Sequence, residues 1–264
     1  MSKKHDEHTG IGAGDGNRTH AKSLGSSYST IELHPQNKES HDSASKIKNH
    51  PSIKSTVLRQ GRMTKAQLLA IKTGWKNYGI EFKNDDNLDK ISSPIILEIG
   101  FGMGESLFLD VKNHPDHFYI GVEVHKPGIG CLIAKCQKEN ISNIKIFDHD
   151  AREVLQTHIK DHSLDKIQIY FPDPWPKKRH HKRRLIQKDF LLLCHQKLKQ
   201  NGIIHIATDW QDYSDEIKKV FSELNVCFQS SNELLHSYSR PETKFERRGK
   251  KLSHVISDLL FKKL

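Results

Sequence analysis

Five short runs rich in β-branched and aromatic residues recur along the chain, at Ile95–Ile99, Phe118–Val124, Ile144–Phe147, Ile167–Phe171 and Ile203–Ala207. Helix-length segments around 104–113, 127–140, 151–160 and 187–200 separate them. This rhythm constrains the fold more than any other feature. Strands that each feed a helix return to the sheet in parallel, which gives βαβ units and an α/β domain. A further helix is expected at 212–224, then weaker strands near 226–229 and 254–261. Upstream, Thr64 and Gln67 have capping-box spacing ahead of an apolar run of Leu68, Leu69, Ile71 and Trp75, which predicts one more helix. Order is expected from about Ser55, so residues 55–264 form one domain.

Residues 1–54 read differently. The first fifty hold ten hydrophobic residues among six histidines, seven Lys or Arg and six acids. Such a segment cannot bury enough apolar surface to offset the entropy of ordering it, so a disordered tail is expected. Its glycine-rich stretch GIGAGDG at 10–16 follows no strand and reads as a linker.

The net charge of +10 is concentrated. Residues 177–184, KKRHHKRR, contribute +6, residues 240–264 contribute +5, and the remainder is nearly neutral. Two basic patches on a neutral body point to a polyanionic partner. No stretch approaches the roughly 18 apolar residues of a membrane span, and the N-terminus has no apolar signal core. A cytoplasmic protein with no membrane association is expected. Cys131, Cys136, Cys194 and Cys227 lack zinc or disulfide spacing and read as reduced thiols, with no metal.

Where the first strand gives way to the first helix stands Glu98-Ile99-Gly100-Phe101-Gly102-Met103-Gly104. In open α/β sheets ligands bind at this carboxyl end of the strands. The spacing G-x-G-x-G departs from the dinucleotide pattern G-x-G-x-x-G. Glu123 closes the second strand, placed to accept from ribose hydroxyls, and Asp150 follows the third, placed to meet an adenine edge. Three acids around one glycine loop repel a pyrophosphate and suit a cationic ligand without phosphates. S-adenosylmethionine, with its sulfonium, ribose and amino-acid tail, has that chemistry.

After the fourth strand comes Phe171-Pro172-Asp173-Pro174-Trp175-Pro176-Lys177-Lys178. Three prolines in five residues stiffen the loop. A carboxylate held between two of them, beside a tryptophan, suits orienting and stacking a flat base. The basic run follows at once, so the reactive end borders a positive surface.

With these residues in place, the sequence resembles the bacterial tRNA (guanine-N7-)-methyltransferase family. The matching segments are RQGRMTKAQ at 59–67, LEIGFGMGESL at 97–107, GVEVHKPGIG at 121–130, HDAREVL at 149–155, YFPDPWPKKRHHKRRLIQ at 170–187, ATDW at 207–210, TKFERRG at 243–249 and HVISDLLF at 254–261. The resemblance implies a Rossmann-like class I methyltransferase fold, with a mostly parallel seven-stranded sheet and helices on both faces. It implies S-adenosylmethionine as donor and, as acceptor, a guanosine of the tRNA variable loop, position 46 by tRNA convention. By position, Glu98, Gly100, Gly102, Gly104, Glu123, Asp150 and Asp173 line the donor pocket, and Asp173 is the candidate catalytic residue. Lys177, Asp209, Thr243, Lys244, Phe245 and Glu246 look like substrate contacts, the last four on a substrate-facing loop. Arg179, His180, His181, Lys182, Arg183 and Arg184 look like the RNA-binding segment. Ser253 stands where the family usually has glycine, and Gln211 where an acid is common. Monomer and homodimer both remain open.

Guanine N7 carries an in-plane lone pair and no proton, so methylation there needs no general base. Positioning and electrostatics are the work left to the protein, and Asp173, with Asp209, is expected to hold the guanine edge and offset the developing positive charge. A small-molecule or protein methyltransferase would leave the basic patches unused. An inert RNA-binding protein would not need Glu98 and the glycine loop, and a dehydrogenase would need a different glycine spacing. Gly16-Asn17-Arg18-Thr19 can be encoded by a string that contains the complement of a tRNA T-arm sequence. The expectation is therefore a frame running through the antisense strand of a tRNA gene, with the true start downstream; a genome with no tRNA gene across these codons would refute it.

Overall fold

The computed structural model describes residues 61–83, 88–231, 235 and 240–264. The expected tail at 1–54 lies outside the described residues. Eight strands form one sheet: β1 (Gly79–Ile80), β2 (Ile95–Ile99), β3 (Phe118–Glu123), β4 (Ile144–Asp148), β5 (Leu164–Tyr170), β6 (Leu198–Thr208), β7 (Phe228–Ser230) and β8 (Ser257–Lys263). Their order is β1-β4-β3-β2-β5-β6-β8-β7. β8 runs antiparallel to β6 and β7, and every other pairing is parallel. The eighth strand, beyond the seven expected, is the two-residue β1, which pairs with Ile146 and Phe147 at the sheet edge. Chain order reverses at β2, which lies between β3 and β5. That is the topological switch point, where the crevice of such a sheet opens.

The helices are α1 (Lys65–Tyr78), α2 (Glu105–Asn113), α3 (Lys126–Lys138), α4 (Ala151–Thr157), α5 (Lys188–Lys197), α6 (Gln211–Ser222) and α7 (Lys244–Lys251). Both faces of the sheet are covered. On one, Leu97, Ile99, Ile167 and Ile204 pack with Leu155, Phe190 and Ile217 of α4, α5 and α6. On the other, Ile96, Tyr119 and Ile146 pack with Ala70, Leu107, Ile129 and Leu132 of α1, α2 and α3. No helix among the described residues is long and apolar enough to cross a membrane.

Local chemistry sets the boundaries. Thr64 and Gln67 form the capping box in both directions, at 2.9 and 3.2 Å. The buried face of α1 is Ala70, Gly74 and Tyr78, with Ile71 and Trp75 packed beside it, while Leu68 and Leu69 are exposed. The helix expected to reach 200 stops at Lys197, and residues 198–208 are strand. Leu198, at φ −70° and ψ 143°, already takes the chain to extended backbone, and Asn201 at φ 65° lies in the bulge where pairing with β5 shifts register. α7 was not expected as a helix at all.

Candidate active site

Gly100, Gly102 and Gly104 all have left-handed φ, at 74°, 57° and 67°. Only glycine takes three such positions in five residues without strain. The loop leaves β2 and enters α2 at the switch point. It is held from β3: Glu123 accepts from the Gly102 amide at 2.7 Å and from the amides of Val124 and His125 at 2.7 and 3.0 Å. It is abutted from α3, where a Cβ on Gly128 would lie 1.9 Å from the Gly102 carbonyl oxygen. Gly128 was not singled out from sequence, although it lies inside the quoted motif GVEVHKPGIG.

Glu98 lies on the central strand and is buried, and its Oε2 has no hydrogen-bond partner among the described residues. Burial, with the nearby Asp110 carboxylate adding to it, pushes the Glu98 carboxyl up to about 8. Asp150 caps α4, its Oδ1 accepting from the Arg152 amide at 2.9 Å, and stays half-buried at the end of β4.

Asp173 is exposed on the loop after β5. The residues two positions either side of it, Phe171 and Trp175, have φ of 53° and 45°. A non-glycine residue held there costs roughly 1–3 kcal/mol and persists only where its surroundings over-determine it. Those surroundings are specific. The Phe171 amide donates to the Ala207 carbonyl at 2.7 Å. The Arg183 guanidinium lies 5.0 Å from the Trp175 ring, and His180 meets that ring edge-on.

The basic run is a short 3₁₀ segment, Lys178–Arg183. Lys177, Lys178, Arg179 and Lys182 are exposed, while His180, His181 and Arg183 are half-buried. Burial and the flanking cations hold His180 below the ordinary histidine range. Arg184 departs from the expected RNA-binding role. Its side chain is fully buried, donating to the Pro174 carbonyl at 2.8 Å, to Asp212 at 2.5 Å and to Glu216. His181 also faces Asp212 and Glu216, at 3.8 and 3.7 Å. A phosphate would compete with two carboxylates for these groups, so Arg184 is an anchor of the loop.

The TKFE segment is the N-terminus of α7, which corrects the expectation of a loop. Thr243 is the N-cap, accepting from the Glu246 amide at 3.1 Å. Thr243 and Glu246 are buried, whereas Lys244 and Phe245 are exposed. Glu246 pairs with Arg240 and with Lys250 at 2.8 Å. The signal was legible: T-x-x-E is itself a capping-box pattern. Phe245 joins the two loops. Its ring stacks on Phe171 at 6.4 Å, and its edge lies 3.9 Å from where a Cβ on Gly102 would stand. Asp209, at the end of β6, meets His254 Nδ1 at 3.3 Å and packs on Gly249 of α7. Arg247 reaches back to Glu105 of α2 at 2.7 Å.

The glycine loop, the Asp173 loop and α7 therefore converge on one edge of the sheet. A family model described as "Putative methyltransferase" matches residues 92–259, a span that contains all three. One solved structure, an antibiotic-related methyltransferase, aligns with a TM-score of 0.47 at 18% identity, covering 72% of this chain and 97% of its own. The chain is 48% identical to the tRNA (guanine-N(7)-)-methyltransferase of Nitrosococcus oceani, over 80% of its own length and 91% of the relative's. It is 46% identical to that of Nitrosomonas eutropha, over 82% and 99% respectively.

Proposed function

The chain belongs to the tRNA (guanine-N7-)-methyltransferase family, and we propose that it methylates N7 of a guanosine in the tRNA variable loop, position 46 by tRNA convention. The observation that carries this reading is the construction around Asp173. An exposed carboxylate lies between two prolines and two residues with left-handed φ, directly before a run of exposed cations. A rigid acid beside a positive surface suits a base that becomes cationic on a polyanionic chain.

The family's donor is S-adenosylmethionine, which supplies a sulfonium-borne methyl group when bound. The residues fit it. A Cβ on Gly100 would meet nothing within 4 Å. Glu98 keeps a buried oxygen without a partner among the described residues, and Glu123 and Asp150 add carboxylates at neighbouring strand ends. Carboxylate charge from Glu123 and Asp150, with Glu98 ionising against a bound cation, favours a phosphate-free cation. Glu98, Gly100, Gly102, Gly104, Glu123 and Asp150 hold the donor, and Asp173 borders both donor and acceptor.

Asp173 accepts from the N–H donors on the guanine's Watson–Crick edge and offsets the charge that N7 gains. Asp209 shares that electrostatic role. Lys177, Lys244 and Phe245 present their exposed side chains to the acceptor nucleotide, while Thr243 and Glu246 act from within α7. Lys178, Arg179 and Lys182 face phosphates. The protein works in the cytoplasm as a monomer or homodimer.

The test has two parts. Nucleosides from tRNA incubated with the protein and labelled donor are analysed by mass spectrometry, and 7-methylguanosine is expected; its absence overturns the reading. Asp173→Asn should lower kcat by about 100-fold or more, the scale of removing one preorganised electrostatic group, while donor binding is kept. A near-normal kcat would remove Asp173 from its role.

A further inference from the structure

Arg240 belongs to none of the motifs that carry this chemistry, yet it is one of the most connected side chains at the site. Its side chain is 6% exposed. Nε and Nη2 grip both oxygens of Asp258 on β8 at 2.7 and 2.9 Å, and Nη1 donates to Glu246 of α7. The guanidinium also lies 5.3 Å from the Tyr170 ring and 5.4 Å from the Phe171 ring. Asp258 in turn meets His205 Nε2 of β6 at 3.1 Å, and His205 Nδ1 meets the Tyr170 hydroxyl at 3.2 Å. One guanidinium thus joins α7 to β8 and sits against the residue at φ 53° from which the Asp173 loop departs.

A bidentate fork with a third donor and a flat cationic face is what arginine offers and lysine does not. α7 itself has few apolar residues with which to dock: Phe245 is its one large apolar side chain, and it is exposed. Its inward residues are Glu246 and Gly249. The docking of this helix is therefore largely polar; the Arg247–Glu105 pair is exposed, and the buried ion pair is that of Arg240 with Glu246.

We propose that Arg240 is a positioning residue for methyl transfer, one that seats α7 on the sheet and sets Phe171, and so aligns Phe245 and Asp173 across the acceptor site. This rests on the assigned function, and it adds a residue that touches neither donor nor guanosine.

The experiment compares Arg240→Lys, Glu246→Gln and the double variant in the full-length protein. Activity on tRNA is counted per donor-binding site titrated by calorimetry, and amide hydrogen exchange is followed across residues 244–251. Arg240→Lys should lose about 100-fold in kcat, the scale of a misplacement of about 1 Å at a reacting centre. Donor affinity should hold within about threefold, because an interaction felt only in the transition state leaves ground-state binding intact. The α7 amides should exchange faster, and the double variant should be no worse than the worse single variant. If Arg240→Lys does not fold, Glu246→Gln, which leaves Arg240 on Asp258, carries the same expectations. A kcat within about twofold of wild type, unaltered α7 exchange, or additive losses in the double variant overturns the proposal. Should the wild type form no 7-methylguanosine, the assigned function fails separately. The exchange data then decide whether Arg240 docks α7.

Discussion

The guanidinium of Arg184 donates to the carbonyl oxygen of Pro174 across 2.8 Å, so the last residue of the basic run fastens the loop that carries Asp173. The same group is clamped by Asp212 and Glu216 of α6 and lies 4.8 Å from the Tyr213 ring. Arg184→Ala would take the guanidinium from a half-buried carbonyl and from two carboxylates that, among the described residues, otherwise face only His181 at 3.8 and 3.7 Å. The expected loss is about 3 kcal/mol of unfolding free energy, the low end for a broken buried pair because Asp212 is 62% exposed. Urea unfolding measures it. A loss under about 1 kcal/mol would place Arg184 among ordinary surface pairs.

The exposed members of the run should behave in the opposite way. Lys178→Ala, Arg179→Ala and Lys182→Ala should leave stability nearly unchanged. Each should lower the slope of log K for tRNA against log salt by about 0.7–0.9, one phosphate's worth of released counterions. Lys112→Ala, on α2 and in an exposed pair with Glu139 at the end of α3, is the control and should leave the slope alone. Equal slopes for all four variants would detach the basic run from RNA contact.

How far the sequence carried is clearest at particular residues. The glycine loop and its strand were legible because G-x-G-x-G after an apolar run demands a left-handed turn at a strand end. The capping box at Thr64 was legible because its two hydrogen bonds are local. The same spacing at Thr243 and Glu246 was passed over in favour of a loop, since α7 has almost no apolar periodicity and docks through charge. Arg184 and Arg240 were not legible as anchors. Each looks like any cation of a basic stretch, and only tertiary contacts with residues 28 and 18 positions away bury them. Strand β1 escaped because two residues carry no periodicity.

Ser253 stands where the resemblance implies a glycine, and the backbone shows why glycine suits the position. Its φ is 59°, it follows the C-cap of α7, and its amide donates to the Lys250 carbonyl at 3.0 Å. The next amide, of His254, donates to the Gly249 carbonyl at 2.9 Å. This is the two-bond Schellman ending, in which the left-handed position favours glycine. Ser253→Gly removes a strained Cβ and is expected to stabilise the protein by about 0.5–1 kcal/mol, net of the extra entropy glycine has in the unfolded chain. Thermal unfolding measures it. A lower Tm would mean that the serine side chain offsets the strain.

Glu98 gives the pH dependence. Burial, with Asp110 beside it, raises its carboxyl to about 8 from an ordinary 4.5. Between those values the folded state keeps a proton that the unfolded state has released, so stability falls as pH rises from about 4.5 to 8. Glu98→Gln, neutral throughout, should flatten that fall and be more stable than wild type at pH 8. A cationic donor favours the ionised form, so binding should expel the proton. Calorimetry in buffers of different ionisation enthalpy should therefore show proton release on binding near pH 7, and affinity rising with pH up to about 8. The Glu98→Gln variant should show neither effect. Proton uptake by the wild type, or a pH-independent affinity, would mean that Glu98 stays protonated beside the donor and serves as a hydrogen-bond donor in place of a counter-charge.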